Sequence, residues 1–289
     1  MTGVITKALA GFYYVSAGDK VIECRARGRF RLDGLTPLVG DCVCFDETEP
    51  GHGVLMELLP RKNSFLRPSV ANIDVLVILA SLANPVTDPF LIDRVSAIAV
   101  AAGCEAVICV NKTDLKDGRA LCDIYDKTPF RVIPVSAVSF DGIEELRAAI
   151  SGKTSAFTGN SGVGKSSVLN ALMPGINIKV GDVSEKLGRG RHTTRHVELF
   201  SLGGDTYIAD TPGFASFDVS MMEGLEKDTL QYAFPELEPF LGECRFRDCA
   251  HLKEPDCAVL KALDEGVIHK SRHDSYVRLY ELLAKNIEY

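Results

Sequence analysis

Eight consecutive residues, Gly159-Asn160-Ser161-Gly162-Val163-Gly164-Lys165-Ser166, have the form G-x4-G-K-[S/T] and lie between a strand-like run, Ser155 to Thr158, and a helical stretch opening at Gly164. Few short segments restrict a fold as strongly. The glycines let the chain wrap so that successive backbone N–H groups converge on an anion, and the helix N-terminus adds a favourable dipole. The segment therefore demands a buried strand, a tight loop and a helix in that order, and it reads as a phosphate cradle. In that reading Lys165 bridges the β- and γ-phosphates, Ser166 offers its hydroxyl to Mg2+, and Ser167 follows in the same first turn.

The surroundings suit an α/β layer. Apolar runs at Ile73 to Ala80, Ala106 to Val110, Arg131 to Val135, Ser155 to Thr158 and Tyr207 to Ala209 alternate with helical stretches at 90–102, 115–126, 142–151 and 164–173. Such alternation predicts a parallel sheet covered by helices. Before it, residues 1–62 carry short runs (Gly11 to Val15, Val21 to Leu32, Asp41 to Phe45, Val54 to Leu58) broken by Gly, Pro and Asp, the punctuation of a small OB-type β-barrel of about five strands. After residue 218 the strands stop, and a helical region around a Cys/His cluster ends in a helix over 271–286. Three domains are expected, at 1–62, 63–218 and 219–289. The stretch from Pro174 to Arg195 reads as a long, glycine-rich, basic functional loop.

With 46% hydrophobic and 25% charged residues the chain is neither disordered nor fibrous. Its longest apolar run, Val95 to Cys104, is ten residues, short of the ~18 a membrane span needs. The first residues lack the pattern of an export signal, so a cytoplasmic protein without membrane contact is expected. A net charge of −7 argues against a general polyanion binder and leaves room for local basic patches.

Asn111-Lys112-Thr113-Asp114 follows the strand Ala106 to Val110. Guanine presents N1–H and N2–H2 side by side, a donor pair that the Asp114 carboxylate can accept and that adenine lacks. An ATP would leave that carboxylate unpaired, at a cost of roughly 1–3 kcal/mol. The tetrapeptide's other reading is a helix cap at Thr113 or Asp114. Ser136-Ala137, after the strand Arg131 to Val135, adds a backbone N–H for guanine O6. Asp210-Thr-Pro-Gly213 ends another strand, with the Asp210 carboxylate placed to hold Mg2+ through water and the Gly213 amide to sense the γ-phosphate. Its other reading is a β-turn with Pro at the second position.

These elements together resemble the translation-factor-related GTPases, but in rotated order: base reader at 111 and 136, phosphate loop at 159, Asp-x-x-Gly at 210. The chain thereby resembles the circularly permuted GTPases and, with a barrel before and a Cys/His segment after, the RsgA family of GTPases that depend on the small ribosomal subunit. The resemblance spans the whole chain. It implies a GTP hydrolase of late 30S maturation, stimulated by that subunit and bound to its rRNA. Two further readings stay open: a nucleotide-gated RNA-binding scaffold with negligible hydrolysis, and a permuted GTPase of the large subunit.

Where Ras-like enzymes place a water-orienting glutamine after Asp-x-x-Gly, this chain has Phe214. The candidate replacement is His192 in Gly190-Arg191-His192-Thr193-Thr194-Arg195, a role that the resemblance implies for this histidine, with Thr193 or Thr194 completing the Mg2+ shell. The other reading is a solvated basic loop whose histidine touches RNA. Because the segment after Gly213 runs straight into the C-terminal region, loss of the γ-phosphate is expected to pull on residues 219 onward.

Cys244-x4-Cys249-x-His251-x5-Cys257 supplies three thiolates and an imidazole, a closed tetrahedral set for one structural Zn2+. A disulfide framework is the competing reading, disfavoured in the cytosol. Arg25, Arg27, Arg29 and Arg31 alternate with Cys24, Ala26, Gly28, Phe30 and Leu32, which predicts four guanidiniums on one strand face, either an RNA surface or a solvated face paired with acids such as Glu23 and Asp33. Arg189 and Arg191 belong to a second basic stretch, within the loop from Pro174 to Arg195. A monomer is expected.

Overall fold

The computed structural model describes residues 1–32, 34–66, 69–174, 197–210 and 225–285, with backbone alone at Arg31, Leu32, Leu66 and Asp210. In chain order the elements are β1 (Thr2–Leu9), β2 (Phe12–Ala17), β3 (Lys20–Ala26), α1 (Gly28–Leu32), β4 (Cys42–Glu49), β5 (His52–Leu58), β6 (Ser64–Leu66), β7 (Ser69–Ala71) and β8 (Val75–Ala80). There follow α2 (Pro89–Ala101), β9 (Glu105–Val110), α3 (Arg119–Tyr125), β10 (Arg131–Pro134) and α4 (Ile143–Ile150). Next come β11 (Thr154–Gly159), α5 (Lys165–Leu172), β12 (Glu198–Gly203) and β13 (Thr206–Asp210). The described chain ends with two 3-10 stretches, Leu230–Ala233 and Pro235–Phe240, then α6 (Ala258–Asp264) and α7 (Lys270–Lys285).

Two compact units can be distinguished. One gathers Met1–Val75 and Ile150–Phe157 with β12 and β13; the other gathers Leu76–Ala149, the phosphate-loop segment from Thr158 and the region from Leu225 on.

In the first unit β1, β2 and β3 form an antiparallel meander, β3 pairs parallel with β5, β5 antiparallel with β4, and β4 returns to β1. The circuit closes into a five-stranded, OB-like barrel with no free edge. Alternate residues fill it: Ile5, Val15, Ile22, Cys24, Val43, Phe45 and Leu55 are all buried. Asp41, fully buried at the barrel wall, accepts two hydrogen bonds from Arg61 (2.6 and 2.8 Å) and one from the Leu38 amide (2.7 Å). β1 also pairs with β12, where Lys7 meets Glu198 at 3.1 Å. β12 runs antiparallel to β13, and β13 parallel to β11.

The arginine stripe is not a strand face. β3 ends at Ala26, and Gly28–Leu32 turns into the short helix α1. The Phe30 amide donates to the Arg27 carbonyl, and the Phe30 carbonyl accepts from Leu35. Phe30 is buried, as a continued strand would also have placed it, so alternation could not separate the two conformations. Gly28 has no side chain to pack, and the strand stops before it. Arg25 remains on β3 with its guanidinium 4.6 Å from the Phe12 ring centre; Arg27 and Arg29 are exposed beyond the strand.

In the second unit the strand order is β10-β9-β8, with β9 and β10 parallel. Every residue of β8 is buried, as expected for a strand covered on both faces. α2 begins at Asp88, whose side chain accepts from the Phe90 amide, with Pro89 in the first turn. α2 packs against α7 and against the turn at Leu230–Ala233. The helix expected over 115–126 starts later, at Arg119, because the Asp117 carboxylate takes the Arg119 amide at 3.0 Å. Sequence patterning also missed β12, an antiparallel addition to an expected parallel sheet, as well as β1 and the small hairpin β6–β7. Among the described residues no helix is long and apolar enough to cross a membrane.

Candidate nucleotide and metal sites

β11 delivers the chain to Gly159, and α5 carries it away from Lys165. The glycines between them are forced by close approaches. Gly162 has φ +79° with Pro85 against it, and Gly164, at φ +99°, would place a Cβ 2.3 Å from Asn111 Nδ2. No other residue fits Gly164 without breaking that contact. α5 is then anchored by Val168, Leu169 and Leu172, all buried.

The base-reading segment is tied directly to this loop. Asn111 Nδ2 donates to the Val163 carbonyl at 2.9 Å, across 52 residues of sequence. Its Oδ1 is buried and finds no donor among the described residues, the kind of atom that a ligand or water satisfies. Lys112, itself at φ +66°, donates from Nζ to the Gly162 carbonyl (2.7 Å) and to the Asn84 carbonyl (2.6 Å). Thr113 donates through both its amide and its hydroxyl to the Val135 carbonyl. That anchors the turn to the end of β10, and because α3 starts only at Arg119, neither Thr113 nor Asp114 is its cap. The exposed Asp114 carboxylate accepts from the Ser136 hydroxyl at 2.7 Å. Ser136 in turn receives the Val138 and Ser139 amides, while its own amide is given to the Asp141 carbonyl. Of the two residues expected to meet guanine O6, Ser136 thus has its amide already engaged within the protein.

The structure thus brings Asn111, Lys112, Thr113, Asp114, Ser136 and the loop from Gly159 to Ser167 into one compact unit. Asp210 closes β13 by its backbone, opposite Glu198. Arg189, Arg191, His192, Thr193, Thr194, Gly213 and Phe214, all given roles by the sequence, lie outside the described residues.

The second cluster is built by Cys244, Cys249, His251 and Cys257, whose ligand atoms all lie within 4.8 Å of one another. Cys244 Sγ is 3.5 Å from His251 Nδ1 and 3.7 Å from Cys257 Sγ, and His251 Nδ1 is 3.4 Å from Cys257 Sγ. Thiolates ~2.3 Å and an imidazole ~2.0 Å from a common tetrahedral centre stand about 3.8 Å (S···S) and 3.5 Å (S···N) apart. The spacing fits one ion and is far longer than a disulfide bond of ~2.05 Å. Burial pushes the Cys249 thiol up to about 12 and also raises Cys257, while it lowers the His251 imidazole. These shifts favour neutral donors in a dry pocket; a bound cation reverses the thiol shifts.

Around the donors the loop is tightly held. Glu254 accepts from the amides of Ala250, Leu252 and Lys253; burial pushes its carboxyl up, but these bonds, with one from its own amide, overcome it and hold it below the usual range. Tyr276 donates to the Ala250 carbonyl and His273 to the His251 carbonyl. Sequence reasoning missed Gln231, whose Oε1 lies 2.8 Å from His251 Nε2. It accepts the Nε2–H and so leaves Nδ1 free to face the thiols. Nothing local marks it, since it sits 20 residues away in a 3-10 turn.

The chain is similar to known proteins along its length. Residues 58–220 match the model of the RsgA GTPase and residues 2–55 that of the RsgA N-terminal domain. A curated relative from Caldanaerobacter subterraneus subsp. tengcongensis, named small ribosomal subunit biogenesis GTPase RsgA, is 42% identical over 280 residues, 96% of this chain and 94% of that one. One of the same name from Moorella thermoacetica is 42% identical over 288 residues, 99% of this chain and 98% of the relative. The crystal structure of YjeQ from Thermotoga maritima superimposes with a TM-score of 0.85 at 33% identity, covering 98% of both chains. That of YloQ, described as a circularly permuted GTPase, gives 0.82 at 35%, covering 99% of this chain and 95% of the other. A base reader that precedes its phosphate loop in the chain, an OB-like barrel before it and a Cys3His cluster after it have one explanation: the chain belongs to the RsgA family of circularly permuted GTPases.

Proposed function

We propose that the protein hydrolyses GTP to GDP and phosphate during late maturation of the small ribosomal subunit, in the cytoplasm, with that subunit and its rRNA as partners and as stimulus. The observation that carries the nucleotide assignment is the joint from Asn111 to Val163, supported by Lys112 on Gly162. It makes base reader and phosphate loop one rigid grip, so a ligand must present both a polyphosphate and a matching base. The amides of Asn160, Ser161, Gly162, Val163 and Gly164 with Lys165 bind the phosphates. Asp114 accepts from the guanine edge, and Ala137 donates to its carbonyl.

Bound with GTP, Mg2+ neutralises charge on the β- and γ-phosphates; Ser166, Asp210 and one of Thr193 or Thr194 are the residues that would hold it. His192 orients the attacking water in place of Phe214, whose ring has no group for that task. One Zn2+ occupies the Cys244, Cys249, His251 and Cys257 set, a closed site with a structural role. Arg25, Arg27 and Arg29, with Arg31, Arg189 and Arg191, contact RNA phosphates. The chain works as a monomer of three parts, 1–62, 63–218 and 219–289.

The test is multiple-turnover GTP hydrolysis with and without purified subunits. Stimulation by the small subunit is expected. Binding without turnover would favour a gated scaffold, and stimulation by the large subunit alone would move the protein to that particle. Loss of turnover with retained affinity in His192→Ala supports the catalytic assignment; unchanged turnover rejects it.

A further inference from the structure

The phosphate cradle and the Cys/His cluster belong to the same compact unit, and a buried charged cluster connects the elements that hold them. Arg272 on α7 is fully buried. Its Nη1 donates to Asp93 Oδ1 on α2 (2.7 Å) and to Ser96 (3.3 Å), while Nε and Nη2 donate to the two oxygens of Glu236 (2.7 and 3.2 Å). The Tyr125 hydroxyl donates to Asp93 Oδ1 at 2.8 Å, and the guanidinium lies 4.5 Å from the Phe234 ring centre and 5.4 Å from that of Phe130. Burying one cation with two carboxylates is an expensive way to gain stability, which an apolar cluster supplies more cheaply. What the guanidinium adds is a fork that accepts one relative placement of α2 and the Pro235–Phe240 stretch.

Each end of that fork leads to a ligand site. α2 is the direct continuation of the turn from Ser81 to Asp88, which is cross-braced by Ser81 and Thr87: the Ser81 amide donates to Thr87 Oγ1 and the Thr87 amide to the Ser81 carbonyl. The same turn presents the Asn84 carbonyl to Lys112 and rests Pro85 against Gly162 of the phosphate loop. At the other end, Glu236 lies just beyond the Leu230–Ala233 turn whose Gln231 orients the His251 ring.

We infer that Arg272 is the positioning residue of a linkage through which occupation of the phosphate loop and of the Cys/His cluster stabilise one another. The inference rests on the proposed nucleotide site. The linkage is reciprocal by thermodynamic necessity, so nucleotide must tighten metal binding if metal favours nucleotide. It also differs from the expected pull through residues 213–218, because it runs through α2.

The test uses the full zinc-loaded chain. Zn2+ transfer to a chromophoric chelator is brought to equilibrium with and without saturating GDP, hydrogen exchange is followed over 225–241, and GDP binding is titrated on the same samples. GDP should raise the affinity for Zn2+ by about five- to a hundredfold, the usual range of site coupling, and protect 225–241. In Arg272→Met, a volume-matched apolar replacement, GDP and Zn2+ should both still bind while the dependence disappears. Glu236→Gln keeps the acceptor without the charge, should reduce the dependence partially, and serves if the methionine variant does not fold. Bound GDP with no effect on transfer in the unmodified chain overturns the linkage alone, as does an undiminished effect in the variants. If GDP does not bind, the nucleotide reading fails and takes the linkage with it.

Discussion

The nucleotide cradle and the Cys/His knot are both loops bent back around a ligand, yet they are held open by different means. In the cradle the polar groups of the wall already have protein partners: Asn111 on Val163, Lys112 on Gly162 and Asn84, Asp114 on Ser136. The ligand meets a shape that exists before it arrives, and little ordering cost is left for binding. In the knot the periphery is satisfied through Glu254, Tyr276 and His273, but the centre holds three sulfurs and a ring nitrogen that face one another. Burial favours the neutral thiols of Cys249 and Cys257, and a cation among them would instead favour the thiolates. The cradle is preorganised by its own hydrogen bonds, whereas the knot gathers four donors that only a metal ion would join into one closed centre.

The largest effect that could break this contrast is loss of the metal. Structural zinc in small peptides is worth about 10–16 kcal/mol of apparent binding energy, all of it folding energy where no site exists in the unfolded chain. Cys249→Ser should therefore abolish stoichiometric metal and open residues 244–264 to hydrogen exchange, while removal of nucleotide leaves the exchange of 159–172 changed far less. Equal opening of both segments would erase the distinction. The next effect concerns Gly164→Ala. A left-handed residue costs roughly 1–2 kcal/mol when it acquires a Cβ, and displacement of the Asn111 amide adds about 1–3 kcal/mol. Guanine-nucleotide affinity should fall on the order of a hundredfold by calorimetry; wild-type affinity would mean that the joint is dispensable. Smaller again is Asp114→Ala. The side chain is exposed, so stability should barely move, but preference for GDP over ADP should shrink by about 1–3 kcal/mol. An unchanged preference would take base reading away from this carboxylate.

How much of this was legible beforehand follows from the range of the contacts. The phosphate loop, the Asn-Lys-x-Asp turn and the four metal donors are local patterns in which residue type and spacing state the chemistry. Their flanking strands announced themselves because β8 and β9 are continuous apolar runs. What stayed hidden is what joins distant segments. Asp93, Tyr125, Glu236 and Arg272 carry no shared spacing, and each alone reads as a surface or helix residue until the fold buries them together. The Asn84 carbonyl is a backbone atom with no sequence signal at all. β12 escaped because its six residues alternate weakly, being stabilised by β1 and β13 rather than by a pattern of their own. The arginine stripe misled for the opposite reason: period two persisted in the sequence past Ala26 while the backbone turned at Gly28.

Gln231 gives the finest test of whether the knot's order comes from the ion alone. Its carbonyl oxygen is the only acceptor for His251 Nε2 among the described residues, and it fixes both the ring tautomer and its rotation. Gln231→Leu keeps the bulk and deletes the acceptor, so the ring must then spend a donor on nothing or rotate away from the thiols. Partners of metal-bound histidines are worth ten- to a hundredfold in affinity, about 1.4–2.8 kcal/mol, far less than a ligand itself. Competition with a chelator of known affinity should show that loss without change in stoichiometry. Gln231→Glu reverses the sign of the perturbation: a carboxylate strengthens the bond to Nε2–H, makes Nδ1 more basic and should hold the metal at least as tightly as the native residue. If leucine and glutamate behave alike, the imidazole is oriented by the metal and its backbone, and the glutamine is only a neighbour.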